Sequence, residues 1–398
     1  MKIGVVFHGN PLAGGCFQQS MNALRLLSEE NGIYEFVYYT PDKGNKLSAA
    51  KYGIKAKTFD FGRKQRLIHK LRKQISLNRI LSKFTLFNPI DSVFEKDNVD
   101  LLYFTSPSPI CLFLERLNYV ITHWDLCHLE HVEFPEVRHC FEFEARESFA
   151  RNALAKAVAV IAVSSYAKRS LETKYCLDKN RVHTLSIAPA YRSYDSNDSS
   201  FNPRKEAQIP EGAQYIFYPA QFWAHKNHRL IIDSLALLRS KNQEVYAIFC
   251  GSDCGNLPIV LNMAKNKGVG DLVKYLGFVP DKHMPVLYKQ SIALVMPSYF
   301  GPVNMPPLEA FEFETPVIVS DLEGIRDQVM DAALLISPDE PASLSNAINK
   351  LVSEPKLRNS LIKKGKARLQ DFSDEDRLET LKNIFSTYDR KRSTWSIE

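Results

Sequence analysis

Residues 293–320 read ALVMPSYFGPVNMPPLEAFEFETPVIVS. A short apolar run ends at Met296. A loop follows whose Gly301 and prolines fix the direction of the backbone. A helical pattern then carries Glu309, and a second apolar run, VIVS, closes the stretch at residues 317–320. Strand, loop, helix and strand in that order are one βα unit of a parallel sheet.

Working outward, the same alternation predicts second-half strands at 215–218, 245–250, 273–276, 293–296, 317–320 and 334–336, with a helical pattern at 230–238. From 343 to 388 successive amphipathic helices follow with no strand between them. The first half repeats the theme, with strands at 2–7, 35–39, 100–104, 119–122, 157–163 and 182–186 and helices at 17–27, 141–155 and 166–174. Between the halves, residues 190–210 are rich in Ser, Asn, Asp and Pro and lack an apolar period, so a linker is expected there. The expected organisation is a first α/β domain over 1–190, a linker over 191–210, a second α/β domain over 211–372 and a last helix over 373–398 packing back on the first domain. Both domains are expected to be Rossmann-like and doubly wound. Ligands of such sheets sit outside the carboxyl ends of the strands, and two such edges facing each other make a central cleft.

Length agrees, because 398 residues are too many for one ordinary core at roughly 100–200 residues per domain. Apolar residues at 45% and charged residues at 24% describe a chain that folds throughout. The opening MKIGVVFHGNPLAGG reads as a strand and turn rather than a secretion signal, no run reaches the ~18 apolar residues of a membrane span, and the seven cysteines form no CxxC pair. A cytoplasmic protein is expected. Net charge is +6, and much of it is concentrated at Arg63, Lys64, Arg66, Lys70, Arg72, Lys73, Arg79 and Lys83, with no Asp or Glu between them. Apolar residues from Leu67 to Phe84 give the 63–87 segment a second, hydrophobic face. The segment suits either an anionic membrane surface or a solvated helix on its own domain. Nucleic acid is not expected as a partner, because no binding module accompanies the charge.

The loops after the strands carry the chemistry. Gly14-Gly15 follows the first strand and precedes a helix, which suits either a bare tight turn or close approach of backbone N–H groups to an anion. It is not GxGxxG, which argues against an NAD-dependent oxidoreductase. In YPAQFWAHKNH, Lys226 stands just past a strand, where a cation reaches a diphosphate or simply meets solvent. Two unit charges ~4 Å apart interact by about 4 kcal/mol at an effective dielectric of ~20, enough to matter to a leaving group. Glu309, a turn into its helix, is suited to accept hydrogen bonds from sugar or ribose hydroxyls. His123-Trp-Asp125-Leu-Cys127-His128-Leu-Glu-His131 has metal-ligand letters but not the spacing of a zinc site, and a buried polar anchor for the loop is the other reading. Asp374-Glu-Asp376, after Ser373, reads as capping carboxylates at a helix start rather than a metal site. No metal and no cofactor are expected.

The succession Lys226-Asn227, GSD at 251–253, LGFV at 276–279, PPLEA at 306–310, TPVIVSD at 315–321 and DAALLISP at 331–338 resembles the donor domain of retaining glycosyltransferase family 4, of GT-B fold, in order and spacing. Within it, the YPAQFW and FGPxN loops resemble one bacterial branch. The first half resembles the family less closely, through Gly14-Gly15 and through THWDLCHLEHVEFPE. The resemblance implies a metal-independent transferase that moves a hexose or deoxyhexose from a nucleotide diphosphate sugar to a glycan or lipid-linked acceptor, as in bacterial surface polysaccharide synthesis. It implies that Glu309 holds the ribose and Lys226 the distal phosphate, and that Asn304 and Met305 lie along the diphosphate and sugar. Main chain around Phe278 and Val279 would meet the base, Gly251 and Ser252 would border the nucleotide, and Gly15 would close the pocket from the first domain. Asp125 matches the family's acid beside the reacting sugar, while His123 and His128 compete for the family's His. Two positions depart from the pattern: Gly301 stands where the family has a first Glu, and Gln221 where it has an Arg. The diphosphate would therefore leave with Lys226, Gln221 and helix-start N–H groups as its partners. The rival readings are a sugar-nucleotide-binding protein without turnover and, on the βα pattern alone, an oxidoreductase.

Overall fold

A computed structural model describes residues 1–9, 15–30, 32–59, 90–190 and 200–395. The basic segment 63–87, Gly14 and residues 191–199 of the expected linker lie outside the described residues.

The first sheet is built from β1 (Lys2–Val6), β2 (Glu35–Thr40), β3 (Ala56–Thr58), β4 (Leu101–Phe104), β5 (Asn118–His123), β6 (Ala159–Ala162) and β7 (Val182–Thr184). Its order is β3-β2-β1-β4-β5-β6-β7, parallel at every pairing. The second comprises β8 (Tyr215–Pro219), β9 (Tyr246–Cys250), β10 (Val273–Tyr275), β11 (Ala293–Met296), β12 (Val317–Ser320) and β13 (Leu334–Ile336), ordered β10-β9-β8-β11-β12-β13 and again parallel. Helices cover both faces of a doubly wound sheet, so its central strands are continuous apolar runs: every residue of β11 and β12 is buried. The strand missing from the sequence expectation is β3, whose AKT has one buried residue and pairs only with β2 at the sheet edge. Three residues, with Lys55 before them and Lys57 among them, carry no apolar run to read.

In each sheet the order reverses between two central strands, β1 and β4 in the first and β8 and β11 in the second. Those switch points place the loops after β8 and β11 side by side, facing the first domain. The helix Asp374–Arg392 crosses back. Leu381, Ile384 and Phe385 are buried in one cluster with Ile3, Val5, Leu101 and Tyr103 of the first sheet, each such side chain contributing ~1.5–3 kcal/mol on burial. At its start Ser373 accepts from Asp376 N (3.1 Å), and Asp374 binds Arg25 (2.6 Å) and Arg377 (2.8 Å). These carboxylates lie where the positive end of the helix field favours them.

Candidate active-site cleft

Between the two carboxyl edges lies a cleft of about 1160 Å³. Of the residues singled out in the sequence, Gly15 and Asp125 line it from the first domain, and Gln221, Lys226, Gly251, Ser252, Phe278, Val279, Asn304, Met305 and Glu309 from the second. His123 does not.

The loop after β8 sends four consecutive residues in four directions. A short 3-10 turn, Ala224–Lys226, runs into Asn227 in the left-handed region (φ 54°), and the helix His228–Ser240 starts there. His225 turns toward the first domain, where its backbone N–H donates to Glu136 Oε1 (2.8 Å) and its ring Nδ1 meets the same oxygen. Lys226 lines the cleft. Asn227 accepts from Leu230 N (3.4 Å) and donates to Pro297 O (3.0 Å) and Pro338 O (2.8 Å), tying this loop to those after β11 and β13. His228 enters the core, stacked on Phe222 (4.2 Å, 12°), with both ring nitrogens lacking a hydrogen-bond partner. Burial pushes the His228 ring down to about 3. It also lowers the Lys226 ammonium, against the fields of Cys127, Cys16, Asp125 and Glu136. Among the described residues Lys226 has no ion-pair partner within 4.0 Å, so its charge is available to a ligand.

After β11, Gly301 has φ +119° and a Cβ there would meet the Asn304 side chain at 3.1 Å. The loop thus excludes the carboxylate residue whose family position it occupies, because an L side chain is strained at that φ. Gln328, buried, grips Asn304 from both sides: its Oε1 accepts from Asn304 N (3.0 Å) and its Nε2 donates to Asn304 O (2.6 Å). The helix Met305–Glu312 was expected to offer several free N–H groups. It offers fewer, since Asn304 N–H is taken by Gln328 and Pro306 and Pro307 have none, which leaves Met305 N–H in that first turn among the described residues. Glu309 is 3% exposed, accepts from Tyr288 Oη (2.6 Å), and has burial pushing its carboxyl up to about 7 against the Tyr288 bond and one from the Ala190 backbone.

Gly251 (φ +136°) is required by close approach: a Cβ would sit 2.5 Å from Ala220 O. Ser252 O accepts from Phe222 N (3.0 Å), so the loops after β8 and β9 form one wall of the pocket. Phe278 is 62% exposed at the cleft, an apolar surface turned outward in the expected base region. Gln221 Oε1 is occupied by Trp223 Nε1 (2.9 Å).

The first-domain loop after β5 distributes differently from expectation. His123 is the last residue of β5, 6% exposed, with both ring nitrogens unpartnered among the described residues and its ring packed beside Phe149 (6.4 Å); burial lowers it to about 4. His128 binds Glu147 (3.2 Å) away from the cleft, and His131 stacks on Phe300 (5.1 Å). The three histidines diverge and cannot share a metal ion; among the described residues no group of three or more metal-ligating side chains converges. Trp124 and Asp125 take the cleft wall, where Asp125 Oδ1 accepts from Cys127 N (3.0 Å) and lies 3.8 Å from Arg146 Nη1. Sequence reasoning missed Arg146, Glu136 and His225, which also line the cleft. Only the neighbour relation of His225 to Lys226 signalled any of them.

The family model described as "Glycosyl transferases group 1" matches residues 200–368. The match places the likeness to that family in the second domain. The matched span holds β8–β13 and every second-domain candidate above, while the first domain lies outside it. The chain is 24% identical over 239 residues to the O-antigen chain mannosyltransferase B of Escherichia coli and 29% identical over 206 residues to the O-antigen chain mannosyltransferase RfbU of Salmonella typhimurium. Those matches cover 58% and 49% of this chain and 61% and 51% of the relatives, so the chain spans about half to three fifths of their length. Over nearly its whole length it superposes on Anabaena Alr3699/HepE in complex with UDP and glucose, with TM-score 0.72, 16% identity, and coverage of 97% of this chain and 100% of that one. That likeness gives the chain the GT-B fold.

Proposed function

We propose that the chain is a retaining, metal-independent glycosyltransferase that moves a hexose or deoxyhexose from a nucleotide diphosphate sugar to a glycan or lipid-linked acceptor in surface polysaccharide synthesis. The observation that carries this reading is the pairing, on the second-domain wall of one interdomain cleft, of a Lys226 with no ion-pair partner among the described residues and a carboxyl, Glu309, buried deeply enough to be matched to hydroxyl donors. In the reaction the bond from the anomeric carbon to the diphosphate breaks and a bond to the acceptor oxygen forms on the same face, with the acceptor proton passing to the departing phosphate. Lys226, the Met305 N–H and the amide of Gln221 face the charge that grows on the leaving group. Asp125, on the acceptor side, faces the positive charge on the sugar ring. The O-antigen relatives support the polysaccharide context. Among the described residues no helix is long and apolar enough to cross a membrane, and the reading takes the enzyme as cytoplasmic and peripheral, held at anionic lipid by residues 63–87.

The test is a thermal-shift screen against UDP-, GDP- and dTDP-sugars, followed by turnover with acceptor extracts and the anomeric proton coupling of the product. A nucleotide sugar that binds, is consumed only with acceptor and gives a retained linkage supports the reading, and turnover is expected to survive EDTA. Binding without acceptor-dependent release makes the chain a nucleotide-sugar-binding protein. Loss with EDTA that magnesium or manganese restores removes metal independence.

A further inference from the structure

The turn that carries Lys226 is held from two domains. On its carboxyl side every restraint belongs to the second domain: Tyr218 Oη donates to Lys226 O (2.9 Å), and Asn227 is bonded to Pro297 and Pro338. On its amino side His225 O accepts from Tyr299 N (2.9 Å) of the same domain, and a further restraint comes from across the cleft. Glu136 Oε1, on the first domain, accepts both the His225 backbone N–H and the ring Nδ1–H. Aromatic packing seals this joint. His225 stacks on Phe300 (3.9 Å, 12°), and Phe300 lies against Phe134 (5.4 Å) and His131 (5.1 Å) of the first domain. The pair is well shielded, with side chains 11% and 8% exposed, and Glu136 Oε2 is buried without a partner among the described residues.

We propose that Glu136 is a positioning residue that acts across the domain interface through His225, so that Lys226 is set for the leaving group only when the two domains are shut. The proposal rests on the role given to Lys226 above. A carboxylate suits this place for two reasons: one oxygen takes two N–H donors at once, and the remaining charge lies close enough to Lys226 to favour its ammonium form. Burial holds the His225 ring neutral, down to about 4, which makes Nδ1–H the donor and the carboxylate the acceptor. Opening the cleft separates Glu136 from His225 and removes the restraint on the His225 N–H and ring, leaving that residue held by Tyr299 N–H and the Phe300 stack alone. Closure and placement of the cation are thereby one event that follows donor binding, and water has less access to an activated sugar while the cleft is open.

Three variants test this: Glu136→Ala, Glu136→Gln, and His225→Phe, which keeps the stack on Phe300 and the backbone N–H but removes the ring donor. Glu136→Ala is expected to lower kcat on the order of 10²-fold, the size of effect that follows when a reacting group is displaced by ~1 Å, with donor dissociation constant unchanged. Glu136→Gln, which keeps the acceptor oxygen, should recover most of that loss, and His225→Phe should fall between them. Hydrogen exchange in Glu136→Ala should speed up at residues 222–227 while residues 305–320 keep their protection. Wild-type kcat in Glu136→Ala, or exchange that rises throughout the chain, overturns the proposal. If the parent protein turns over no nucleotide sugar, the transferase reading fails. The exchange pattern then still decides whether Glu136 holds the turn, since equal exchange at 222–227 in the parent and Glu136→Ala overturns it.

Discussion

Two loops leave the carboxyl ends of strands in the two different sheets, β8 in the second and β5 in the first, and both are rich in histidine. After β8 the sequence HKNH is folded by one 3-10 turn and one left-handed Asn, so His225, Lys226, Asn227 and His228 go to the interface, the cleft, the backbone and the core. After β5 the histidines at 123, 128 and 131 leave the cleft to Trp124 and Asp125. Residue chemistry alone does not separate these two loops. What separates them is the local backbone: a turn pinned by Asn227 to two other loops gives each position a fixed direction, whereas β5 ends with His123 still inside the pleat, facing Phe149.

The comparison predicts that chemistry is concentrated on the second-domain side. Lys226→Ala should lower kcat about 10²–10³-fold with a much smaller change in donor affinity, because its charge is needed most as the diphosphate departs. Single-turnover kinetics at saturating donor measure this, and near-normal turnover would make Lys226 a plain cleft-wall residue. Next in size is Glu309→Gln. An ionised carboxylate accepting hydroxyls contributes ~1.5–3 kcal/mol, so the donor dissociation constant should rise about 10–100-fold in titration calorimetry. Because the Glu309 carboxyl is pushed up to about 7, donor affinity of the parent should also weaken by up to tenfold per unit as pH falls below 7, and the Gln variant should lack that dependence.

Legibility followed the same division. The strands at 293–296, 317–320 and 334–336 were readable to the residue because β11 and β12 are buried runs between turn residues, and Lys226 and Glu309 stand at fixed offsets from strand ends. The edge strand Ala56–Thr58 carries too few apolar residues to announce itself. Pairing of Glu136 with His225 spans 89 residues and two domains, and no local pattern encodes a contact made only when two separately folded sheets face each other. The direction of His123 was hidden for a different reason. Strand side chains alternate faces, so ending the strand at 122 or at 123 decides whether that ring is read as loop or core.

Acid should destabilise this fold more than its composition suggests. His123 and His225 are lowered to about 4 and His228 to about 3, so each favours the neutral form when folded and takes up a proton on unfolding. Their stabilisation is complete above pH ~6.5 and is lost as pH falls toward 4. Glu309, raised to about 7, has the opposite sign, binding a proton in the folded state that the unfolded chain releases above its ordinary value of 4.5. These three groups against one leave a net of about two protons, so unfolding free energy should drop by roughly 2–3 kcal/mol per pH unit between 6.5 and 4.5, and His8, His128 and His183, whose rings burial also lowers, add to the same sign. Urea midpoints across that range measure it, and a flat profile would show that these rings reach water.

The smallest effect is expected at His123, where the two loops are told apart most directly. Phenylalanine has nearly the shape of the imidazole and can keep the contact with Phe149, while it removes two ring nitrogens that have no partner in a site 6% exposed. Leaving a buried polar group unsatisfied costs about 1–3 kcal/mol, and a slightly larger ring in a packed site costs some of that back, so His123→Phe should stabilise the protein by about 1 kcal/mol at pH 7. The pH dependence of stability should flatten by one proton, about 1.4 kcal/mol per unit below pH 6.5. Turnover should not change, because the ring does not reach the cleft. A tenfold loss of kcat in a variant that is folded and stabilised would return His123 to the reacting centre and with it a share of the chemistry to the first-domain loop.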